Sequence, residues 1–246
     1  MIGVKVCGFT SVSDAVAAVA AGVDLLGLNF FAGSKRRIDL GTARAIAAAV
    51  AGRATLVGVF VNHSADDILS IAAAVPLGVV QLHGDEPPSL GAALAAGFSH
   101  PPTTSLAPRE SAAIGAIPPP SPQTRWCVWR AVRCRDVAAT AAVAEWVSAF
   151  QTAAGWPLDA LLVDAYDPHE FGGTGKQADL AVFTALRTRF PDLPLWLAGG
   201  LTPENVAAAI AAARPAGVDT ASGVESSPGM KDAVRMQRFV AAARSA

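Results

Sequence analysis

The chain has 246 residues, of which 52% are hydrophobic and 16% charged, with a formal net charge of −1. That balance excludes a disordered chain and supplies material for a large core. It also excludes the basic stripe that holds nucleic acid, and no apolar stretch runs far enough without Gly or charge to span a membrane.

The length suits one α/β barrel of roughly 250 residues, although two smaller domains would also fit. The start, Met1-Ile2-Gly3-Val4-Lys5, has no basic region followed by an apolar signal core, so a soluble cytoplasmic protein is expected. The cysteines, Cys7, Cys127 and Cys134, are odd in number and widely spaced, which argues against a disulfide framework. No His/Cys cluster has metal-ligand spacing.

In chain order, short aliphatic runs alternate with Ala-rich stretches of helical period. The first predicted strand is Val4 to Cys7, followed by a helix over 12–21. The second is Leu25 to Phe30, with a helix over 40–51, and the third is Leu56 to Val61. Ser64 caps the third helix, with Asp67 as its capping-box-like partner, and Ile68, Ile71, Ala72 and Val75 share one helix face. The fourth strand is Val79 to Leu82, with a helix over 88–96, and the fifth is Val128 to Val132, with a helix over 137–150. The sixth is Ala160 to Val163, with a helix from 178, and the seventh is Leu195 to Ala198. Thr202 and Pro203 read as the N-cap and first position of the seventh helix. The eighth strand is Val218 to Ala221, and a last helix runs from 230 to the end.

Eight strand-then-helix units predict an α/β fold, a TIM (β/α)8 barrel in a single domain over 1–246; an open doubly wound sheet is the alternative. One segment breaks the rhythm. Residues 99–125 hold Pro101, Pro102, Pro108, Pro118, Pro119, Pro120 and Pro122, so a Pro-rich insertion is expected there as a surface loop. Its place after the fourth helix points to the bottom of the barrel, away from the chemistry.

In a barrel, reactive side chains gather where strands end and the following loops begin. Cys7 ends the first strand and Asp164 follows the sixth. Arg36 lies after the second strand, and His83 and Asp85 after the fourth. Gly199-Gly200 and Ser222-Gly223 follow the seventh and eighth, where backbone N–H groups commonly bind phosphate. The segment Val224-Glu225-Ser226 could present its N-terminal N–H groups to the same anion. His83 and Asp219 can each touch substrate or hold neighbouring loops. His63, His100 and His169 read as solvent-facing, Cys127 and Cys134 as structural, and the tryptophans as packing residues.

These residues also carry a resemblance. Lys5-Val6-Cys7-Gly8-Phe9-Thr10 resembles the opening of phosphoribosylanthranilate isomerases. The likeness continues through Gly58-Val59-Phe60-Val61-Asn62, Val80-Gln81-Leu82-His83-Gly84-Asp85-Glu86, and Leu162-Val163-Asp164 with Phe171-Gly172-Gly173-Thr174-Gly175-Lys176. It ends with Leu197 to Val206 and with Gly217-Val218-Asp219 before Ser222-Gly223-Val224-Glu225-Ser226. The blocks fall in the family's order and cover nearly the whole chain outside the insertion.

The resemblance implies an isomerase of tryptophan biosynthesis that turns an aminoaldose into an aminoketose by acid-base catalysis, with no metal and no cofactor. It implies Cys7 as the base and Asp164 as the acid. A thiol titrates near neutrality when its surroundings favour the thiolate, and a carboxyl in an apolar mouth can stay protonated. It further implies that an arginine after the second strand holds the anthranilate carboxylate. Arg36 keeps that register, although Lys35 stands where the family has proline and Arg37 follows. The substrate-binding set is then Arg36, His83 and Asp219, and the phosphate set Gly200, Ser222 and Gly223. The expected partner is a small phosphorylated substrate, with no nucleic acid and no membrane, on a monomer or homodimer. Related phosphate-handling barrels would want a catalytic lysine or metal-binding histidines. Lys5 is set aside because it precedes the strand end and faces opposite to its immediate neighbours.

Overall fold

The computed structural model describes residues 1–97, 126–165 and 179–246. The Pro-rich insertion with His100, and residues 166–178 with Asp167, His169 and the Gly-rich block, lie outside the described residues.

The elements alternate as the sequence predicts: β1 (Gly3–Cys7), α1 (Val12–Ala21), β2 (Leu25–Asn29), α2 (Leu40–Val50), β3 (Thr55–Phe60), α3 (Ala65–Ala74), β4 (Val79–Leu82), α4 (Leu90–Gly97) and β5 (Cys127–Val132). They continue with α5 (Thr140–Ala154), β6 (Ala160–Val163), α6 (Leu180–Arg189), β7 (Leu195–Leu197), α7 (Val206–Ala213) and β8 (Gly217–Thr220). Strands β1 to β8 pair in parallel, and β8 returns to β1, so the sheet closes into a barrel. The doubly wound alternative is thereby ruled out.

Closure divides the core in two. Between strands and helices lie residues such as Val4, Val6, Phe9, Leu26, Leu28, Phe60, Phe183 and Phe239. Inside the barrel lie Leu25, Val57, Val59, Val79, Trp129, Ala131, Ala160, Leu162, Trp196 and Ala198. The interior set alternates along each strand, as period-two side chains must. Trp129 and Trp196 fill the interior with their rings 4.7 Å apart.

Helix starts follow local chemistry. Ser64 accepts a 3.1 Å hydrogen bond from the Asp67 N–H, as its spacing predicts, and Ser11 and Asp39 cap α1 and α2 in the same way. Each such cap stabilises its helix by about 1 kcal/mol.

Three boundaries differ from expectation. Thr202-Pro203 does not open α7; it starts a turn in which Asn205 Oδ1 accepts from the Thr202 N–H, and the helix begins at Val206. α5 begins at Thr140 because residues 136–139 form a turn, with the Ala139 N–H bonded to Asp136 Oδ1. The last helix, α8, is Ala233–Arg244, and before it β9 (Glu225–Ser227) and β10 (Met230–Lys231) make an antiparallel hairpin. His63 is half-buried with its ring edge against Phe60 rather than solvent-facing. Among the described residues no helix is long and apolar enough to cross a membrane.

Candidate active site

A cavity opens at the C-terminal ends of the barrel strands. Its lining includes Cys7, Arg36, His83, Asp164, Gly199, Gly200, Asp219 and Ser222, drawn from loops far apart in the chain. Of the predicted catalytic, substrate and phosphate residues, only Gly223 is absent from that lining; Asp85, also named after the fourth strand, is exposed and lies outside it.

Cys7 stands at the end of β1, in register with Gly27 of β2. A Cβ on Gly27 would lie 2.7 Å from the Cys7 sulfur, so the missing side chain is what makes room for the thiol. Burial pushes the Cys7 thiol above its ordinary value; Lys5 and Lys231 pull against that, and Asp219 adds to it.

Asp164 follows β6 and is buried. Its Oδ1 accepts the Ala165 N–H at 2.8 Å, and its Oδ2 lies 3.3 Å from His83 Nε2. His83 Nδ1 lies 2.8 Å from the Gln81 amide nitrogen. With that amide donating to Nδ1, a neutral imidazole carries its proton on Nε2, facing Asp164. The Ala165 N–H donates to the carboxylate, and the imidazole edge stands beside it. Gln81 shares its strand face with His83 and is fully buried, a polar residue that patterning alone assigns no role.

Asp219 of β8 pairs across the sheet with Lys5 of β1, and their charged groups meet at 3.0 Å. Lys5 does face away from Val4 and Val6, but that direction is the barrel interior, where Cys7 also points.

Arg36 lines the cavity, whereas Arg37 is exposed and makes a backbone bridge to Asn29. Of the two, Arg36 is the one that reaches the mouth. Arg36 Nε and Nη2 donate to the two oxygens of Glu225, and Lys231 Nζ donates to Glu225 Oε1 at 2.7 Å. Lys231 also donates to the carbonyl oxygens of Cys7 at 2.6 Å and Ala221 at 3.1 Å. Burial pushes the Glu225 carboxyl up, but Arg36 and Lys231 outweigh it and hold the group below the usual range. Burial sets Lys231 below its ordinary value despite Glu225. The sequence reading missed both residues. The turn signal Ser227-Pro228-Gly229 between them was the available clue.

The loops after β7 and β8 meet closely. A Cβ on Gly223 would fall 1.9 Å from the Leu201 carbonyl oxygen, so this glycine lets the loops after β7 and β8 touch. The short helical turn is Ser222–Val224 itself, earlier than the expected segment from Val224. Among the described residues no group of three or more His, Cys, Asp or Glu side chains could hold a metal ion.

Comparison with known proteins identifies the family. The family model describing N-(5'phosphoribosyl)anthranilate (PRA) isomerase matches residues 4–111 and 134–242. An N-(5'-phosphoribosyl)anthranilate isomerase from Acidithiobacillus ferrooxidans is 40% identical, covering 99% of this chain and 98% of its own. The crystal structure of phosphoribosyl anthranilate isomerase from Thermotoga maritima superposes with a TM-score of 0.77 at 31% identity, covering 100% of both chains. Another solved isomerase, in complex with reduced 1-(o-carboxyphenylamino)-1-deoxyribulose 5-phosphate, gives a TM-score of 0.73 at 29% identity over 100% of both chains. The chain belongs to the N-(5'-phosphoribosyl)anthranilate isomerase family, the aldose-to-ketose isomerases of tryptophan biosynthesis.

Proposed function

We propose that this chain rearranges N-(5-phosphoribosyl)anthranilate to 1-(2-carboxyphenylamino)-1-deoxyribulose 5-phosphate with Asp164 as acid and Cys7 as base. The observation that carries the reading is the convergence of a thiol from β1 and a carboxyl from β6 on one cavity that Arg36 also lines.

The steps follow from those positions. Asp164 gives a proton to the ribose ring oxygen, and the C–O bond breaks to leave an open Schiff base. The Cys7 thiolate takes the proton from C2, the electron pair moves into the C1–C2 bond, and the enolamine tautomerises to the ketone. The Ala165 N–H holds the carboxylate in between, with His83 Nε2 beside it at 3.3 Å. Arg36 takes the anthranilate carboxylate, for which a guanidinium is the matching shape. The loops bearing Gly200, Ser222 and Gly223 take the phosphate through backbone N–H groups. His83 and Asp219 act on their protein partners, and their walls of the cavity lie beside the sugar. We place the enzyme in the cytoplasm as a single-domain barrel.

The test is turnover of freshly made phosphoribosylanthranilate, followed by loss of its fluorescence. Wild type turns over, and Cys7→Ala or Asp164→Ala falls by about 10²–10⁴-fold with the fold intact. Absence of turnover by well-folded wild type overturns the reading.

A further inference from the structure

The barrel interior holds a charge that packing does not require. Lys5 is fully buried, and its strand neighbour across β2 is Leu25, part of an interior filled mostly by apolar side chains. Replacing a buried ion pair by apolar residues is often neutral or stabilising, so Lys5 and Asp219 are not explained by stability. They are explained by what stands above them. On a period-two strand Lys5 and Cys7 share a face, one layer apart, and Lys5 interacts with the thiol as well as with Asp219.

We infer that Lys5 is the counter-ion of the Cys7 thiolate and that Asp219 anchors it while opposing the same negative charge. The inference rests on Cys7 as the base. Lys5 and Asp219 are positioning residues here, acting on the sulfur and not on the substrate.

Among the described charged groups around Cys7, Lys5 is the fully buried cation on the same strand face as the thiol, paired with Asp219 at 3.0 Å. β2 offers Gly27 and the neutral Asn29. On β10, Lys231 is held by Glu225 and by the Cys7 carbonyl, and the Arg36 guanidinium is held edge-on by Glu225. His83 and Asp164 are engaged with each other at 3.3 Å. From β8 comes Asp219. Burial raises the thiol, Lys5 is the largest influence pulling it down, and Asp219 pushes it further up. Burial lowers Lys5, but Asp219 and Cys7 more than offset that, so the ammonium persists.

This arrangement makes opposite predictions for its two members. The readout is the pH dependence of Cys7 alkylation by iodoacetamide in the intact enzyme, quantified on the Cys7 peptide by mass spectrometry. In Lys5→Met the midpoint moves up, and at pH 8 the reaction slows about tenfold. In Lys5→Arg it stays near wild type. In Asp219→Asn the midpoint moves down and the reaction at pH 8 speeds up. A change of accessibility alone scales the rate at every pH and leaves the midpoint in place, which overturns the inference for a folded Lys5→Met protein. If Lys5→Met does not fold, Asp219→Asn decides: a lower midpoint supports the counter-ion role, and an unmoved or higher one overturns it. Turnover is not read, so failure of Cys7 as base shows separately, as activity retained by Cys7→Ala.

Discussion

Arg36 presents its Nε and Nη2 edge to Glu225, each nitrogen 2.8 Å from a carboxylate oxygen. The guanidinium plane is thereby fixed before any substrate arrives. Glu225→Gln keeps the size but removes the charge that orients Arg36. We expect KM to rise about tenfold with a smaller change in kcat, because the guanidinium grips substrate and transition state equally. Steady-state kinetics on the variant checks this, and an unchanged KM would show that binding does not depend on how Arg36 is oriented.

The same carboxylate gives the stability an acid limb. Its folded value is depressed, so its stabilising contribution is present above the unfolded glutamate value of about 4.3 and is lost as pH falls through the lower folded value. Urea midpoints measured from pH 6 downward fall across that window in wild type. The Glu225→Gln protein starts lower and lacks that part of the slope.

Gln81 steadies His83, the neighbour of the proposed acid. Gln81→Met keeps volume but removes the donor to His83 Nδ1, which frees the imidazole to change tautomer. Imidazole nitrogen chemical shifts report the tautomer directly. We expect a mixed population in the variant and a kcat lowered about tenfold, the order of a mispositioned acid. A single tautomer, unchanged from wild type, would show that Gln81 does not set it.

The raised thiol predicts the shape of the activity profile. The thiolate fraction grows as pH rises, so kcat/KM climbs through neutral pH and levels only above the ordinary thiol value of about 8.5. Cys7→Asp, with a base already ionised at neutral pH, has a flat profile between pH 6 and pH 8. A wild-type profile that is flat over that range contradicts a raised thiol.

The periodic parts of this molecule were readable from the chain. Strands announced themselves as aliphatic runs, Ser64 capped where its spacing said it would, and Cys7 and Asp164 stood at strand ends because the barrel rhythm put them there. What escaped was set by contacts across the sequence. Thr202-Pro203 carries the chemistry of a helix start and equally that of a turn, and only the Asn205 side chain decides between them. The β9–β10 hairpin is too short and polar for any periodic signal. Lys5 and Gln81 are polar residues pointing inward, and their partners come from β8 and from the histidine that Gln81 steadies.

The bond from Lys231 to the Cys7 carbonyl spans 224 positions. During synthesis, Cys7 emerges well before the lysine that pins its backbone and the glutamate that orients Arg36. Pairings of such long range form late. A chain stopped short of residue 231 therefore carries the Cys7 thiol without the contact that pins its backbone.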